Sequence, residues 1–226
     1  MKTALFAATI VTALGVLIPI NRAAASECTR VIGVSQTRNW YLAGAFETQV
    51  GIVSTEWELL AVGGGDLVTF ADPLSPAFTH RIQSPCGIPP TRAVLNVSFQ
   101  DYRTTTDAVI TTYLLSAIAN IRSHWPTIGR IDLVPIVGGP NHQTCPVSAN
   151  HNVRATEMHP RMDAVIAVVV NGVDVFAGPD LLVSACSDFS DAHGHLTLSG
   201  SAFIAQAVAQ FYAPPPEPIG PTSSAG

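Results

Sequence analysis

An aspartate and two histidines lie close together near the end of the chain, in the segment Asp191-Ala-His-Gly-His195. An apolar-periodic run from Leu198 to Tyr212 follows it and predicts a helix. A histidine whose second ring nitrogen is held by a carboxylate is suited to act as a general base, because the carboxylate fixes the tautomer and stabilises the imidazolium. The segment therefore predicts an acid–base centre in a loop at a helix start, and such a centre needs a nucleophile.

Short β-rich runs alternate with helical patterns along the rest of the chain. This alternation is typical of a mostly parallel sheet covered by helices. The predicted strands are Thr29–Gly33, Trp57–Val62, Arg92–Val97, Ile131–Val137 and, as the last, either Val173–Phe176 or Leu181–Ala185. The predicted helices are Asp107–His124, a segment from about Pro160 to Val170, and Leu198–Tyr212.

The loops after the predicted strands carry polar and flexible residues. The first strand leads into Gly33-Val-Ser35, the second into Gly63-Gly-Gly65 and the third into Ser98-Phe-Gln-Asp101. In parallel sheets such loops converge on one edge, where ligands bind. A serine, glycine amides, a carboxamide and an Asp/His pair at one edge are groups that acyl transfer uses.

The order of these blocks resembles that of the SGNH/GDSL hydrolases over nearly the whole chain after residue 26. In that family a Gly-Asp-Ser block after the first strand carries the nucleophile, and Gly33-Val34-Ser35 stands at that place. The resemblance implies that Ser35 is the nucleophile. It also implies an α/β fold, a three-layer α/β/α sandwich with a central mostly parallel, flavodoxin-like sheet.

The remaining family blocks assign the other site residues. The family's Asp-x-x-His block looks like Asp191 to His195, which makes His195 the base and Asp191 its orienting carboxylate. A glycine after the second strand and an asparagine after the third complete the family's oxyanion hole with the amide of the nucleophile. Those positions resemble Gly64 and Gln100, with Ser35 supplying its own amide.

The sequence departs from the family pattern at three functional positions. Val34 replaces the family's aspartate, Gln100 replaces its asparagine, and the Asp191 to His195 spacing is one residue longer. Glutamine offers the same amide donor on a stem one methylene longer, so its backbone must sit further back. The extra residue in the histidine loop suits a bulge among small residues.

Two neighbouring residues compete for the acid–base roles. His193 is an alternative base, and Asp188 is an alternative carboxylate that lies further from His195 along the chain. His195 is preferred because Leu196-Thr197 and then Gly200 follow it, as the family resemblance leads us to expect.

A metal site is a weaker hypothesis for the same region. Five histidines lie between residues 142 and 195, at His142, His151, His159, His193 and His195. None of them forms the His-Glu-x-x-His spacing of a helical zinc site. We therefore expect neither a metal nor another cofactor.

The front of the chain has the pattern of a secretory signal peptide. Met1-Lys2 is basic, Ala4–Ile20 is uncharged and Ala23-Ala-Ala25 is a small-residue cleavage site. Pro19 breaks the apolar stretch, which argues against a membrane anchor. The domains predicted are a signal peptide at 1–25, one hydrolase-like domain at 26–213, and a disordered Pro-rich tail at 214–226.

Cysteine usage and charge fit an exported protein. The chain has 4 cysteines, and in an oxidising compartment an even set predicts two disulfides. Of the three possible pairings, sequence order favours Cys28 with Cys86 and Cys145 with Cys186. A formal net charge of −5 without a basic cluster argues against a nucleic-acid partner.

The sequence therefore predicts a secreted or periplasmic serine esterase or acylhydrolase. Its substrate would be a small-molecule, lipid or carbohydrate ester, and we expect a monomer without a transmembrane span. Two alternatives remain open: a binding module that keeps the fold with an inactive site, and a structural extracellular protein whose Pro-rich tail spaces it from a surface.

Overall fold

The computed structural model describes residues 27–51, 55–79, 82–140 and 153–213. The predicted signal peptide, the tail of residues 214–226 and Cys145 lie outside these ranges. Predictions that rest on them therefore stay predictions. Within the described ranges, no helix combines the length and the apolar character that crossing a membrane requires.

A five-stranded parallel sheet forms the centre of the fold, with strand order β2-β1-β3-β4-β5. The middle strand β3 is almost wholly buried, as expected for a parallel strand covered on both faces. The strands are β1 Glu27–Val34, β2 Thr55–Val62, β3 Arg92–Val97, β4 Arg130–Pro135 and β5 Val175–Ala177.

Helices cover both faces of this sheet. They are α1 Ser35–Arg38, which continues into a π-helical turn at Asn39–Ala43, then α2 Phe46–Val50, α3 Leu67–Ala71, α4 Asp107–His124, α5 Val153–Val169 and α6 Leu198–Tyr212. Two groups pack separately: the π-helical turn and α2 contact α6, whereas α3 contacts α4 and α4 contacts α5. The predicted three-layer α/β/α sandwich is confirmed.

The strand order determines where a ligand would bind. From β1 the chain moves to one side to form β2 and then crosses back to form β3, β4 and β5. Right-handed crossovers place the helices of these two directions on opposite faces. Neighbouring strands β1 and β3 then diverge into different connections, and the crevice at their carboxyl ends is the usual ligand site of such sheets.

The predicted start of the second long helix was wrong. We expected it near Pro160, but α5 begins at Val153 and contains Pro160 in its interior. The preceding turns carry Ala155 and Met158, which continue the buried stripe of Met162. Burial of this apolar stripe outweighs the loss of one backbone hydrogen bond at the proline.

A disulfide joins Cys28 of β1 to Cys86, with 6.1 Å between their Cα atoms. This confirms the first of the two predicted cysteine pairs. The Glu58 carboxylate lies close to both sulfurs and accepts a hydrogen bond from the Cys86 amide. Because the sulfurs are bonded to each other, they are not thiolate ligands, and the group is a structural crosslink rather than a metal site.

Loss of this crosslink should destabilise the protein. Cys28 and Cys86 are separated by 58 positions. Closing a loop of that length lowers the conformational entropy of the unfolded chain, which raises the free energy of unfolding by about 4 kcal/mol. The double variant Cys28→Ala/Cys86→Ala should therefore lose free energy of unfolding of that order in urea titrations without reductant.

The control is Arg103→Ala, which removes a solvent-exposed ion pair with Glu157 and should change the free energy of unfolding little. An unchanged urea midpoint in the double cysteine variant would contradict the stabilising role of the crosslink. So would alkylation of Cys28 and Cys86 in unreduced wild-type protein.

Candidate active site

Ser35 lies where β1 ends and α1 begins. The turn into it is tight, since the Val34 amide donates a hydrogen bond to Thr37 Oγ1 at 3.1 Å. A Cβ atom at Gly33 would lie 2.1 Å from that same oxygen, so only glycine fits there. The glycine and the threonine together determine where the chain turns and hence the position of Ser35.

The structure brings the three residues predicted for acid–base and nucleophilic roles into one hydrogen-bonded row. His195 Nε2 lies 2.8 Å from Ser35 Oγ, and His195 Nδ1 lies 2.5 Å from Asp191 Oδ2. With its Nδ1–H donating to the carboxylate, the imidazole presents Nε2 as the acceptor for the serine hydroxyl. The side chains of His195 and Asp191 are 36% and 38% exposed, so the row is open to solvent.

Asp191 also builds the loop in which His195 lies. Its Oδ1 atom accepts hydrogen bonds from the backbone amides of His193, Gly194 and His195 at 2.8, 3.1 and 3.2 Å. Gly194 has a φ of 94°, a conformation that residues with a side chain rarely adopt. The longer spacing between Asp191 and His195 is therefore accommodated by a left-handed glycine inside a carboxylate-capped turn.

These contacts alter the ionisation of Asp191. Burial acts to raise the pKa of the Asp191 carboxyl, but the hydrogen bonds from the His195 ring and from the His193 and His195 amides act in the opposite direction. The pKa is lowered from the ordinary value of 3.8. Asp191 is consequently a carboxylate at neutral pH, which is the state that orients a histidine base.

His193 and Asp188, the alternatives for the base and its carboxylate, make other contacts. The side chain of His193 is exposed, and the centroid of its ring is 6.4 Å from that of His195. Asp188 Oδ2 accepts a hydrogen bond from the Ala185 amide at 3.1 Å, and its backbone carbonyl accepts one from the Thr197 amide at 2.8 Å. Asp188 thus organises the chain before α6.

One other histidine from the metal hypothesis lies in a separate environment. His159 is buried, with Nδ1 2.5 Å from the Ile136 carbonyl and Nε2 2.8 Å from Asp180. His142 and His151 lie outside the described residues.

Gly64 and Gln100, which are assigned to the oxyanion hole together with Ser35, lie on two connected loops. Gln100 Nε2 donates to the Gly64 carbonyl at 2.8 Å, and the Gln100 amide donates to Asp66 Oδ2 at 2.9 Å. Asp66 also caps α3 by accepting a hydrogen bond from the Val68 amide. The loops after β2 and β3 therefore form one unit beside the β1 turn, and Gln100 keeps a second N–H beyond its bond to Gly64.

Sequence reasoning missed two carboxamides that follow the serine, Gln36 and Asn39. Gln36 is only 2% exposed and donates to the Gly194 carbonyl, while Asn39 accepts from the Leu196 amide. The available signal was a glutamine in a segment that must pack on the sheet, since a buried amide needs partners. The sequence did not show that those partners would lie on the histidine loop.

The ionisation of Asp191 can be tested by titration. In wild-type protein the carboxyl carbon of Asp191, followed by NMR, should titrate below pH 3.8. Since its folded pKa is depressed, Asp191 stabilises the folded state above that pH and loses this contribution as the pH falls through the folded pKa. In His195→Ala the pKa should rise because the ring no longer donates.

His193→Ala is the matched control, because the backbone amide at position 193 still donates to Asp191 and the pKa should stay low. A pKa of Asp191 that does not respond to His195→Ala would contradict the hydrogen-bonded row.

No protein-family model matches the sequence, and no curated protein matches it. Three solved structures are similar to this chain at low sequence identity. The periplasmic domain of a lipopolysaccharide acetyltransferase from Salmonella ser. Paratyphi A is 14% identical with a TM-score of 0.51, over 83% of this chain and 84% of that one. A carbohydrate esterase of family 3 from Talaromyces cellulolyticus is 10% identical with a TM-score of 0.51, over 81% and 95%.

The third is a protein from Slackia heliotrinireducens named as an SGNH hydrolase, 15% identical over 82% of this chain and 98% of that one. Its TM-score is 0.47. At these identities the comparisons show the fold alone. The chain shares the α/β fold of the acetyltransferase domain and of the carbohydrate esterase, with a parallel central sheet as its sequence predicts.

Proposed function

We propose that this protein is a serine esterase or acylhydrolase that cleaves a carboxylic ester with Ser35, His195 and Asp191. The observation that carries the proposal is the continuous row of hydrogen bonds from Asp191 through His195 to Ser35. The row lies beside the crevice where β1 and β3 diverge, which is the ligand site expected for this topology.

The proposed reaction begins with attack of Ser35 Oγ on the ester carbonyl carbon. As the new C–O bond forms, the hydroxyl proton passes to His195 Nε2, and Asp191 stabilises the resulting imidazolium. His195 then gives this proton to the departing alcohol as the ester bond breaks. Water hydrolyses the acyl-serine in the same way and regenerates the hydroxyl.

The negative charge on the carbonyl oxygen needs donors that are already in place. The Ser35 amide lies at the start of α1, where the first amides of a helix have no partner within that helix. We assign the second N–H of Gln100 and the backbone around Gly64 to the same role. The hydrogen bond from Gln100 to the Gly64 carbonyl holds the Gln100 side chain in place before a substrate binds. This supports the assignment, because preorganised donors stabilise developing charge most effectively.

The substrate we propose is a carboxylic ester, with sugar acetyl and lipid acyl esters as the two classes. The exposed position of the row suits an ester presented by a larger molecule. One protein of similar fold is named as a carbohydrate esterase. The Cys28–Cys86 disulfide supports an oxidising location, secreted or periplasmic, because such bonds persist outside the reducing cytosol.

The triad assignment predicts a distinctive pattern of kinetics. Ser35→Ala and His195→Ala should each lower kcat on short-chain p-nitrophenyl esters by at least about a thousandfold. The double variant should be little worse than either, since both residues serve one proton transfer. Asp191→Ala should lose less activity.

His193→Ala and Ser184→Ala, which change exposed residues, are the matched controls and should retain activity. Full activity in Ser35→Ala would exclude Ser35 as the nucleophile. Greater damage from His193→Ala than from His195→Ala would reassign the base. A wild-type protein that binds esters or glycans without turnover would favour the binding module.

The oxyanion assignment predicts a loss confined to turnover. Gln100→Ala should lower kcat by about a hundredfold and leave KM nearly unchanged, because the donor acts on charge that develops in the transition state. Gln100→Asn restores the family residue and shows whether the longer stem matters.

Gln206→Ala, at an exposed glutamine of α6, is the control and should leave both constants unchanged. A change in KM alone would reassign Gln100 to substrate binding.

A further inference from the structure

Two side chains from the turn that begins with Ser35 hold the backbone on either side of His195. Gln36 Nε2 donates to the Gly194 carbonyl at 2.9 Å, and Asn39 Oδ1 accepts from the Leu196 amide at 3.1 Å. We call Gln36 and Asn39 the amide clamp. Since Gly194 and Leu196 flank His195, the clamp ties the backbone of the base to the turn that carries the serine.

The clamp itself is held in place. Gln36 Oε1 accepts a hydrogen bond from the Val137 amide at 2.7 Å, beyond the end of β4. Gln36 is 2% exposed, and its carboxamide therefore bridges two backbone segments inside the protein. Moving it would leave buried polar groups without partners, which is energetically unfavourable. The Asn39 amide donates to the carbonyls of Gln36 and Ser35, so Asn39 belongs to the same turn as the serine.

The amide clamp remains after Ser35 is acylated, whereas the hydrogen bond between Ser35 and His195 does not. In the free protein the serine hydroxyl contacts His195 Nε2 at 2.8 Å and helps to hold the ring. Once Ser35 carries the acyl group, its hydroxyl hydrogen is gone and this contact no longer holds the ring. The hydrogen bond from His195 Nδ1 to Asp191 then holds the ring, and the amide clamp holds the backbone of the loop.

We propose that Gln36 and Asn39 are positioning residues that keep His195 in place for deacylation. This inference rests on the proposed esterase function. In that step a water oxygen bonds to the acyl carbon and its proton moves to His195 Nε2. The bond from the acyl carbon to Ser35 Oγ then breaks, and the proton returns from His195 to Ser35. Water is the only co-reactant, and a base displaced by about 1 Å would slow the step by up to a hundredfold.

The two steps can be separated by stopped-flow kinetics with p-nitrophenyl acetate, whose good leaving group makes acylation fast. In Asn39→Ala and Gln36→Glu, deacylation should slow by about tenfold to a hundredfold, while acylation changes by less than about threefold. Steady-state kcat and KM should fall together and leave kcat/KM nearly unchanged. Acetyl-Ser35 should accumulate and be visible by mass spectrometry of the intact protein.

Conservative replacement provides the rescue. Asn39→Asp keeps the acceptor oxygen for the Leu196 amide and should restore most of the deacylation rate that Asn39→Ala loses. Gln36→Glu keeps the acceptor for the Val137 amide but loses the donor to Gly194. Asn39 is only partly buried, so its variants keep the test valid if the buried Gln36 variant fails to fold.

Asn120→Ala is the matched control. The Asn120 carboxamide of α4 donates to the carbonyls of Phe70 and Ala71, so its loss should lower stability without changing either rate. Equal slowing of acylation and deacylation in the Asn39 and Gln36 variants would overturn the inference, as would unchanged rates. A wild-type protein that neither forms an acyl-enzyme nor releases acid would instead overturn the proposed function, and the inference with it.

Discussion

The hydrogen bond between His195 Nε2 and Ser35 Oγ joins residues that are 160 positions apart, at a distance of 2.8 Å. Such a contact exists only if the turn after β1 and the loop before α6 are both held firmly and at the same edge of the sheet. The parallel sheet meets the second condition, because the carboxyl ends of its strands open onto one edge. Local interactions meet the first.

Each of the two segments is built by its own short-range interactions. On the serine side, the Gly33 position leaves space for Thr37, whose hydroxyl oxygen accepts from the Val34 amide. On the histidine side, the Asp191 carboxylate accepts three backbone amides and the ring nitrogen of His195. The amide clamp of Gln36 and Asn39 then joins the two segments. The spacing between Ser35 and His195 therefore depends on backbone contacts as well as on the hydrogen bond between the two side chains.

Much of the framework could be predicted because its signals are local. β3 at Arg92–Val97, α4 at Asp107–His124 and α6 at Leu198–Tyr212 have the predicted bounds, since apolar periodicity and terminal residues lie within each segment. The start of α5 could not be predicted, because burial of Ala155 and Met158 against the rest of the protein overrides a proline signal. The same limit hid the amide clamp, whose partners on the histidine loop are more than 150 positions away from it.

The sequence shows where the chain departs from the SGNH/GDSL pattern, but it does not show how the structure accommodates these departures. The residue before the serine is a buried valine, Val34, so Ser35 has no carboxylate side chain beside it in the sequence. The additional residue of the histidine loop is accommodated by the left-handed Gly194, and its carbonyl is the one that Gln36 holds. The contact between Gln36 and Gly194 could not be predicted from spacing alone, because it depends on how distant segments meet.

The central claim is that Ser35 is a nucleophile activated by His195, and covalent labelling tests it most directly. Folded wild-type protein treated with a fluorophosphonate should carry one adduct, which peptide mass spectrometry should locate on Ser35. His195→Ala should react far more slowly, because the hydroxyl is unreactive without its base. Wild-type protein that stays unlabelled, or that carries its adduct on another serine, would contradict the account.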